Sequence, residues 1–256
     1  MSTTTRKQQI RDLLKSIETG DSTAVAVVNP DMYIQHNPET HEGGEGLAAL
    51  FKRLSKTSPR VNIVRAFEDG EYVFGHTEYD FATSKIGFEI FRFEEGLVVE
   101  HWDNIQAKPD GPNPSGHTMT DGPTEPTDLD KTRQNKDLVR AFVDDILVNG
   151  SMDKLTGYFE GDNYTQHNPQ IADGLSGLGA ALEEFAKQGI VMKYDRIHRV
   201  LGEGDFVLVV SEGSLAGNHS SFYDLFRVAD GKIAEHWDTI ETIAPRDQWR
   251  NENGKF

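Results

Sequence analysis

Apolar residues recur with the spacing of an amphipathic helix in two parts of the chain. The first set is Ile10, Leu13, Leu14 and Ile17, and the second is Leu138, Ala141, Phe142 and Ile146. Residues three or four apart share one face of a helix, so each set provides an apolar face for a core. Shorter helices are predicted at 22–28 and 46–55, and again at 152–159 and 177–188. Each part therefore begins with helices.

After each group of helices the pattern changes to runs rich in β-branched and aromatic residues. The first part has such runs at 61–67, 72–81, 86–93 and 97–106, and the second at 195–201, 206–214, 220–228 and 232–242. The last two runs of each part are joined by a short glycine-containing segment, which is typical of a β-hairpin. The order predicts an α+β fold in each part, with helices packed on one face of a curved antiparallel sheet.

Two motifs occur twice and in the same order. Residues 33–38 (YIQHNP) return 131 positions later as residues 164–169 (YTQHNP). Residues 91–103, which begin FR and end EHWD, return 135 positions later as residues 226–238. A repeat of this length is too long for a solenoid unit, so each copy is expected to be a domain with its own core.

The domain boundaries follow from the repeat and from the proline content. We predict one domain at 1–107 and a second at 131–256. The segment between them, 108–130, holds five of the ten prolines of the chain, which is typical of a stiffened linker.

The repeated motifs resemble those of the SnoaL-like polyketide cyclase family, in the NTF2-like superfamily. The resemblance covers about residues 5–106 and 132–243, and residues 116–123 (GHTMTDGP) resemble tandem members that are predicted aldol condensation-catalysing enzymes. It implies two NTF2-like cone-shaped α+β barrels in tandem, which would pair within the chain as a pseudo-dimer. Whether the chain also forms a homodimer stays open.

Composition limits the partners and the chemistry. Acidic residues outnumber basic ones, 42 against 26, and the formal net charge of −16 repels nucleic-acid phosphates and anionic lipid. The sequence has no cysteine, which excludes disulfides, thiolate nucleophiles and iron–sulfur ligation. No apolar run approaches the roughly 20 residues that cross a bilayer, and the first residues show no signal-peptide pattern. We expect a cytoplasmic protein whose partner is a small molecule, with neither nucleic acid nor membrane.

The EHWD motif brings an imidazole and a carboxylate to one surface. Side chains alternate along a strand, so His101 and Asp103 share one face, as do His236 and Asp238. Glu89 and Asp224, in turn, lie on the strand before.

Two hairpin registers are possible for these last two carboxylates. A three-residue loop with a glycine bulge places each carboxylate opposite the histidine of EHWD, and a two-residue turn places it opposite the tryptophan. The sequences EEG and ADG suit a type I turn followed by a left-handed glycine, so we favour the bulge.

A carboxylate in an apolar cavity has a raised pKa and can act as a general base near neutral pH. A base of this kind suits proton abstraction beside a carbonyl, which also needs a neutral donor for the enolate oxygen. The candidate catalytic residues are His36, His76, Glu89, His101, Asp103, His167, Asp224, His236 and Asp238, and the candidate substrate-binding residues are Gln35, Asn37, Phe91, Gln166, Asn168 and Phe226. The resemblance implies an aldol cyclase or isomerase that uses no metal or organic cofactor.

Other interpretations stay open. The QHNP motif can fix a strand end, and a histidine–carboxylate pair can fix the last strand, in a binding module without catalysis. A metal site from His36, His76, His101 and Asp103 is disfavoured by the absence of a tight histidine spacing. An epoxide hydrolase would need Arg92 beside Asp103 and Asn37, although Arg92 and Arg227 are better explained as ion-pair partners of Glu100 and Glu235.

The two copies differ at a candidate residue. Copy one has His76 where copy two has Val210, and copy two has Asp224 where copy one has the longer Glu89. If the reaction needs His76, then copy one is the active half, and this is the assignment that we favour. If the shorter aspartate matters more, then copy two is active.

Overall fold

The computed structural model describes residues 4–256, and these residues form two compact units. Unit 1 contains the described residues up to Lys108 together with Ile243–Phe256, and unit 2 is Pro109–Thr242. The units therefore differ from the predicted domains at two places. Most of the predicted linker belongs to unit 2, and the last 14 residues of the chain belong to unit 1.

Hydrogen bonds explain this division. In unit 1 the side-chain Nδ2 of Asn251 donates to the backbone carbonyl oxygens of Asn37 and Thr40, at 2.8 and 2.9 Å. In unit 2 the side-chain Nδ2 of Asn113 donates to the backbone carbonyl oxygens of Gln166 and Ile171, at 2.6 and 3.0 Å. A buried asparagine thus ties each segment to a QHNP loop.

Unit 1 contains two α-helices and five strands. The helices are α1 (Arg6–Thr19) and α2 (Gly43–Leu54), and the strands are β1 (Ile34–Gln35), β2 (Arg60–Asp69), β3 (Tyr72–Asp80), β4 (Ser84–Glu94) and β5 (Leu97–Ala107). The 3₁₀ turns are Ser22–Val27, Ser55–Thr57 and Arg246–Gln248. The sheet has the order β1-β5-β4-β3-β2, in which only β1 pairs in parallel, with β5.

Unit 2 repeats this arrangement. Its helices are α3 (Thr132–Phe142), which continues as a π-helix over Val143–Val148, and α4 (Gly174–Lys187). Its strands are β6 (Thr165–Gln166), β7 (Met192–Glu203), β8 (Phe206–Leu215), β9 (Asn218–Ala229) and β10 (Lys232–Thr242), and its 3₁₀ turns are Leu129–Lys131 and Met152–Tyr158. The sheet order is β6-β10-β9-β8-β7, with β6 parallel to β10. The predicted α+β class with two tandem copies is confirmed.

The first helix of each unit buries an apolar face. In α1 the four predicted residues are all buried, and the helix ends at Gly20, whose φ of 74° is left-handed. In unit 2 the prediction was wrong for Ala141, which is exposed. The buried face consists of Val139, Phe142, Val143 and Ile146, which keep the i, i+3, i+4, i+7 spacing.

The hairpin register differs from the favoured prediction. Glu95 and Gly96 both have positive φ, 51° and 86°, which makes a tight two-residue turn. A bulge at Val99 then shifts β5 by one residue, so Glu89 lies opposite Asp103 rather than His101. The favoured and observed registers differ by two residues, and therefore the same side chains still share one face.

The hairpin of unit 2 is built in the same way. Asp230 and Gly231 form the turn with positive φ, and the pairing shifts at Ala234. Asp224 consequently lies opposite Asp238, and Phe226 lies opposite His236. Among the described residues, no helix combines the length and the apolar character that crossing a membrane requires.

Candidate active site

Unit 2 encloses a cavity of about 280 Å³ between its helices and its sheet, which we call cavity 2. Most of its wall is apolar, with Leu147, Leu178, Phe185, Met192 and Ile240 among the lining residues. Two aspartates and a histidine also line it, and all three are buried: Asp224, His236 and Asp238. The β9–β10 pairing brings them together, because Asp224 and Asp238 are directly opposite.

The proton positions on His236 follow from its partners. The side-chain oxygen of Gln166 accepts the backbone N–H groups of His167 and Asn168, both at 2.9 Å, which fixes the orientation of this amide. Because this oxygen can only accept, His236 Nδ1, at 3.0 Å, must carry a proton. Gln166 therefore sets the tautomer of the histidine.

The other ring nitrogen of His236 shares a proton with a carboxylate. His236 Nε2 lies 3.0 Å from Asp224 Oδ1, so one proton is held between them. Burial by itself lowers the pKa of His236, but the hydrogen bond to Asp224 and the charges of Asp238 and Asp224 outweigh it and raise the pKa. The raised pKa favours the protonated form of the imidazole beside the two acidic groups.

The two carboxylate oxygens of Asp238 differ in their hydrogen-bond partners. Its Oδ2 accepts a hydrogen bond from Asn168 Nδ2 at 2.7 Å. Its Oδ1 is buried, and no hydrogen-bond partner for it exists among residues 4–256. Burial raises the pKa of Asp238 above its ordinary value, the charge of Asp224 adds to the rise, and His236 opposes it.

Two tyrosines complete the polar part of cavity 2. The hydroxyl of Tyr194 is 3.2 and 3.3 Å from the two oxygens of Asp224, to which it donates. The hydroxyl of Tyr164 accepts from Gln166 Nε2 at 3.3 Å, and its own hydrogen has no acceptor in the described part of the chain. Burial raises the pKa of both phenols well above the ordinary value, so both stay protonated.

Unit 1 has the same cluster around a smaller cavity of about 150 Å³, which we call cavity 1. His101 Nε2 is 2.7 Å from Glu89 Oε2, and His101 Nδ1 is 2.9 Å from the side-chain oxygen of Gln35. Asn37 donates to Asp103 Oδ2 at 2.7 Å. The predicted convergence of a carboxylate and a histidine is therefore present in both units.

Asp103 differs from Asp238 in its surroundings. The ammonium group of Lys255 lies 3.5 Å from Asp103 Oδ1, and the Lys255 side chain is 1% exposed. The two opposite charges attract each other across this contact. His36 contacts the carbonyl oxygen of Gly254, and the next residue is Lys255. In unit 2, His167 contacts the carbonyl oxygen of Thr118, and the next residue is the uncharged Met119.

In each unit a tyrosine hydroxyl donates to a carboxylate of the last hairpin, Glu89 in unit 1 and Asp224 in unit 2. The two tyrosines lie on different strands of their sheets. In unit 1 the tyrosine is Tyr79 on β3, which donates to Glu89 Oε1 at 2.7 Å. In unit 2 it is Tyr194 on β7, and Gly213 lies directly opposite on β8. An added Cβ at Gly213 would overlap the Lys193 carbonyl oxygen, so the two strands approach closely there. The tyrosines are not at equivalent positions, and comparison of the repeats misses them.

Three of the histidines predicted as catalytic, His36, His76 and His167, lie outside both cavities. His36 stacks on Trp102 at 4.6 Å, and its Nε2 is 2.8 Å from Glu100. Gln35 pairs with His101 on β5, so the next residue turns to the opposite face. His76 is stacked on Phe88 and lies 3.0 Å from Arg65.

His167 repeats the arrangement of His36. It stacks on Trp237 at 4.5 Å and lies 2.8 Å from Glu235 Oε1, while Arg227 bonds the other oxygen of Glu235 at 2.7 Å. The predicted ion pairs of Arg227 with Glu235 and of Arg92 with Glu100 are confirmed. The epoxide hydrolase alternative needed Arg92 beside Asp103, and Arg92 lies with Glu100 instead.

Some of these groups have the donor set of a metal site. The four residues of the metal hypothesis are not brought together, because His36 and His76 lie elsewhere. In the described chain, three groups have ligand atoms within 4.8 Å of one another: Glu89, His101 and Asp103; Asp224, His236 and Asp238; and His117, Asp121 and His167. In the first two groups the histidine nitrogens already have partners, Gln35 and Glu89 or Gln166 and Asp224.

The pKa of Glu235 gives a testable effect on stability. Burial raises it, but hydrogen bonds from His167 and Arg227 outweigh burial and lower the pKa below 4.5. This pairing therefore contributes stability above pH 4.5, and the contribution is lost as the pH falls through the lowered value. We expect Glu235→Gln to cost about 2 kcal/mol at pH 7 and less near pH 3, because a buried charged hydrogen bond is removed. Urea unfolding at the two pH values measures this, with the exposed Glu183→Gln as control, and an equal loss at both values would contradict it.

Comparison with known proteins gives one family match. Residues 139–236, which lie in unit 2, match the model of the SnoaL-like domain. Unit 1 has the same strand order as unit 2. No curated protein sequence matches the chain.

Several solved structures are similar to part of the chain. TsrD from Streptomyces laurentii is 21% identical over 41% of this chain and 92% of its own, with a TM-score of 0.36. An epoxide hydrolase of the LEH-like type from M. tuberculosis is 18% identical over 39% of this chain and 81% of its own, with a TM-score of 0.34. An NTF2-like protein from Cytophaga hutchinsonii is 14% identical over 41% and 95%, with a TM-score of 0.35.

Proposed function

We propose that the protein is an acid–base enzyme of the SnoaL-like type that acts on a small, hydrophobic, carbonyl-bearing molecule without a cofactor. The reaction is a proton transfer beside the carbonyl, as in an aldol cyclisation or an isomerisation. The observation that carries the proposal is the buried and unpartnered Oδ1 of Asp238 on the wall of an apolar cavity.

Asp238 is the base. Its raised pKa makes the carboxylate a stronger base than an ordinary aspartate, and its Oδ1 has no donor from residues 4–256 to displace. In the proton-transfer step the C–H bond beside the carbonyl breaks, an O–H bond forms on Asp238, and the electron pair moves to the carbonyl oxygen. Asn168 keeps the other oxygen of the carboxylate in place.

Tyr164 is the group that stabilises the enolate oxygen. Its phenol lines cavity 2, is protonated, and has a hydrogen free to donate. A neutral donor in a dry cavity stabilises negative charge that develops on oxygen without transferring its proton. The electron pair then returns to carbon, either with a proton at another position or by attack on a second carbonyl of the same molecule.

The pair of Asp224 and His236 positions the base. The proton that they share keeps a positive charge on the imidazole beside Asp238, and Gln166 and Tyr194 hold the two partners in place. The imidazolium cation favours the ionised form of Asp238, which limits how far burial can raise its pKa. Asp238 is therefore a stronger base than an ordinary aspartate, while the neighbouring imidazolium opposes a further rise of its pKa.

Unit 2 is the better candidate for catalysis. Cavity 2 has about 280 Å³ against about 150 Å³ for cavity 1, and Asp103 has Lys255 beside the oxygen that corresponds to the free oxygen of Asp238. His76, whose presence favoured copy one, lines neither cavity.

Exchange of carbon-bound hydrogen for deuterium tests the proposal before the substrate is known. We expect the intact protein to accelerate exchange beside the carbonyl of 2-tetralone in D₂O, measured by proton NMR. Heat-denatured protein is the control for buffer catalysis. Saturable binding of ketones without any acceleration, over a panel that includes acetophenone and 2-indanone, would identify a binding module instead of an enzyme.

Tyr164→Phe separates the donor from the base. We expect a loss of about 100-fold in exchange rate, because one enolate donor is removed while the ring and the cavity stay unchanged. The matched control is Tyr33→Phe, which makes the same change in unit 1 and is expected to retain most of the rate. Equal rates for Tyr164→Phe and the wild type would remove Tyr164 from the mechanism.

A further inference from the structure

Two cationic side chains line cavity 1 and have no anionic partner. Arg53 lies in the last turn of α2, and Lys85 lies near the start of β4. Neither forms an ion pair or a side-chain hydrogen bond within residues 4–256. Some other basic residues of unit 1 are paired, such as Lys15 with Glu18, Lys108 with Glu78 and Arg92 with Glu100. Arg53 is exposed and Lys85 is partly buried.

The charges on the wall of cavity 1 are not balanced. Its acidic residues are Glu39, Glu89 and Asp103, and the last two are already engaged with His101 and Lys255. Arg53, Lys85 and Glu39 are left without an ion pair in residues 4–256, so the unpaired cations on this wall exceed the unpaired anions by one.

Unit 2 lacks both cations. Arg53 follows Gly46 by seven residues, and Glu184 follows Gly177 by seven residues. The two glycines correspond, because an added Cβ at either one would overlap the backbone carbonyl oxygen five residues before it. The helix position of Arg53 is thus occupied by an acidic residue in unit 2.

The strand position of Lys85 changes in a similar way. Lys85 precedes Phe91 by six residues, and Ser220 precedes Phe226 by six residues. In place of Glu39 the second unit has Gln170, and among the described residues no lysine or arginine lines cavity 2. The two cavities therefore differ in charge while sharing the same histidine and carboxylate cluster.

We infer that cavity 1 binds a small molecule with an apolar body and a carboxylate group, and that Arg53 and Lys85 hold the carboxylate. The inference rests on the proposed function in that it takes the cavities as ligand sites. It adds that the two units accept different chemical classes, an anion in unit 1 and a neutral ketone in unit 2.

The orientation of the ligand follows from the charges. Glu89 and Asp103 would repel a carboxylate, so the anionic group must lie away from them, against Arg53 and Lys85. The remaining wall includes Leu13, Leu47 and Ile105, which suit an apolar body. The planar guanidinium of Arg53 can hold both carboxylate oxygens, and Lys85 adds a second cation.

Binding of phenylacetate and of its neutral isostere phenylacetamide tests the inference. We expect the intact protein to bind phenylacetate at least about tenfold more tightly in a calorimetric or NMR titration at low salt. The variant Arg53→Glu/Lys85→Ser introduces the residues that unit 2 has at these positions, and it is expected to lose this preference. Lys52→Glu is the matched control, because it changes the charge of the same helix on an exposed residue that does not line the cavity.

A further variant assigns the binding to cavity 1. Leu50 lines this cavity from α2 and is partly exposed, so Leu50→Trp is expected to block the cavity and remove phenylacetate binding. The inference is overturned if the amide binds as tightly as the acid, if neither binds, or if Lys52→Glu weakens binding as much as the double variant. The exchange assay on 2-tetralone reports on cavity 2 separately, so the proposed function can stand or fail independently of this result.

Discussion

Asp238→Asn is expected to reduce hydrogen exchange beside the carbonyl of 2-tetralone by about 1,000-fold, because it removes the general base. The amide can still accept the hydrogen bond from Asn168 through its oxygen, so the cluster keeps its geometry. Asp103→Asn makes the same change in unit 1 and is expected to retain most of the rate. Proton NMR of the ketone in D₂O measures both variants, and a residual rate within tenfold of the wild type would show that another group is the base.

Asp238→Asn is also expected to change stability, with a dependence on pH opposite to that of Glu235→Gln. Burial raises the pKa of Asp238, so the folded state holds its proton more tightly than the unfolded state does. Folding stability from this group is therefore present at low pH and is lost as the pH rises through the raised pKa. Asp238→Asn removes that cost and should be at least as stable as the wild type at pH 7. Loss of activity without loss of stability distinguishes a catalytic carboxylate from one that fixes a strand.

The dependence of the rate on pH follows from the raised pKa of Asp238. The rate should increase as Asp238 ionises, because only the carboxylate can accept the proton from carbon. This acid limb should lie above the ordinary aspartate value of 3.8, and proton NMR of 2-tetralone exchange at a series of pH values measures it.

The parts of the site that the sequence predicts are those set by repetition and by strand alternation. Because side chains alternate, His101 and Asp103 had to share a face, and an error of two residues in the hairpin register left Glu89 on that face. Tyr164 could also have been found, because it precedes Gln166 by two residues on the same short segment.

The rest depends on contacts between distant parts of the chain. His36 and His167 face away from the cavities because β1 and β6 pair in parallel with the last strand of their sheets, and a two-residue strand gives no hydrophobic pattern that would show this. Tyr79 and Tyr194 reach equivalent carboxylates from non-equivalent strands, so no comparison of the two copies aligns them. The return of Ile243–Phe256 to unit 1 is set by hydrogen bonds that composition does not reveal.

These final residues lead to the second large expected effect. The backbone N–H of Arg250 donates to the Pro38 carbonyl oxygen at 2.8 Å, and Asn251 donates to two further carbonyl oxygens of the same loop. The carbonyl oxygen of Gly254 accepts from His36 Nδ1 at 2.9 Å, and Lys255 lies beside Asp103. Residues 250–256 therefore hold the QHNP loop of unit 1 and one carboxylate of its cluster.

Deletion of residues 250–256 is expected to destabilise unit 1 by roughly 4 kcal/mol, since at least four hydrogen bonds of about 1 kcal/mol each are lost. Asn251→Ala should cost about half of that, because it removes two of them. Amide hydrogen exchange measured by mass spectrometry resolves the two units, and unit 2 is the internal control, because residues 250–256 belong to unit 1. Faster exchange should appear in 33–42 and along β5, with no change in 164–173 and along β10. Equal loss of protection in both units would mean that the segment stabilises the whole chain and not the QHNP loop of unit 1.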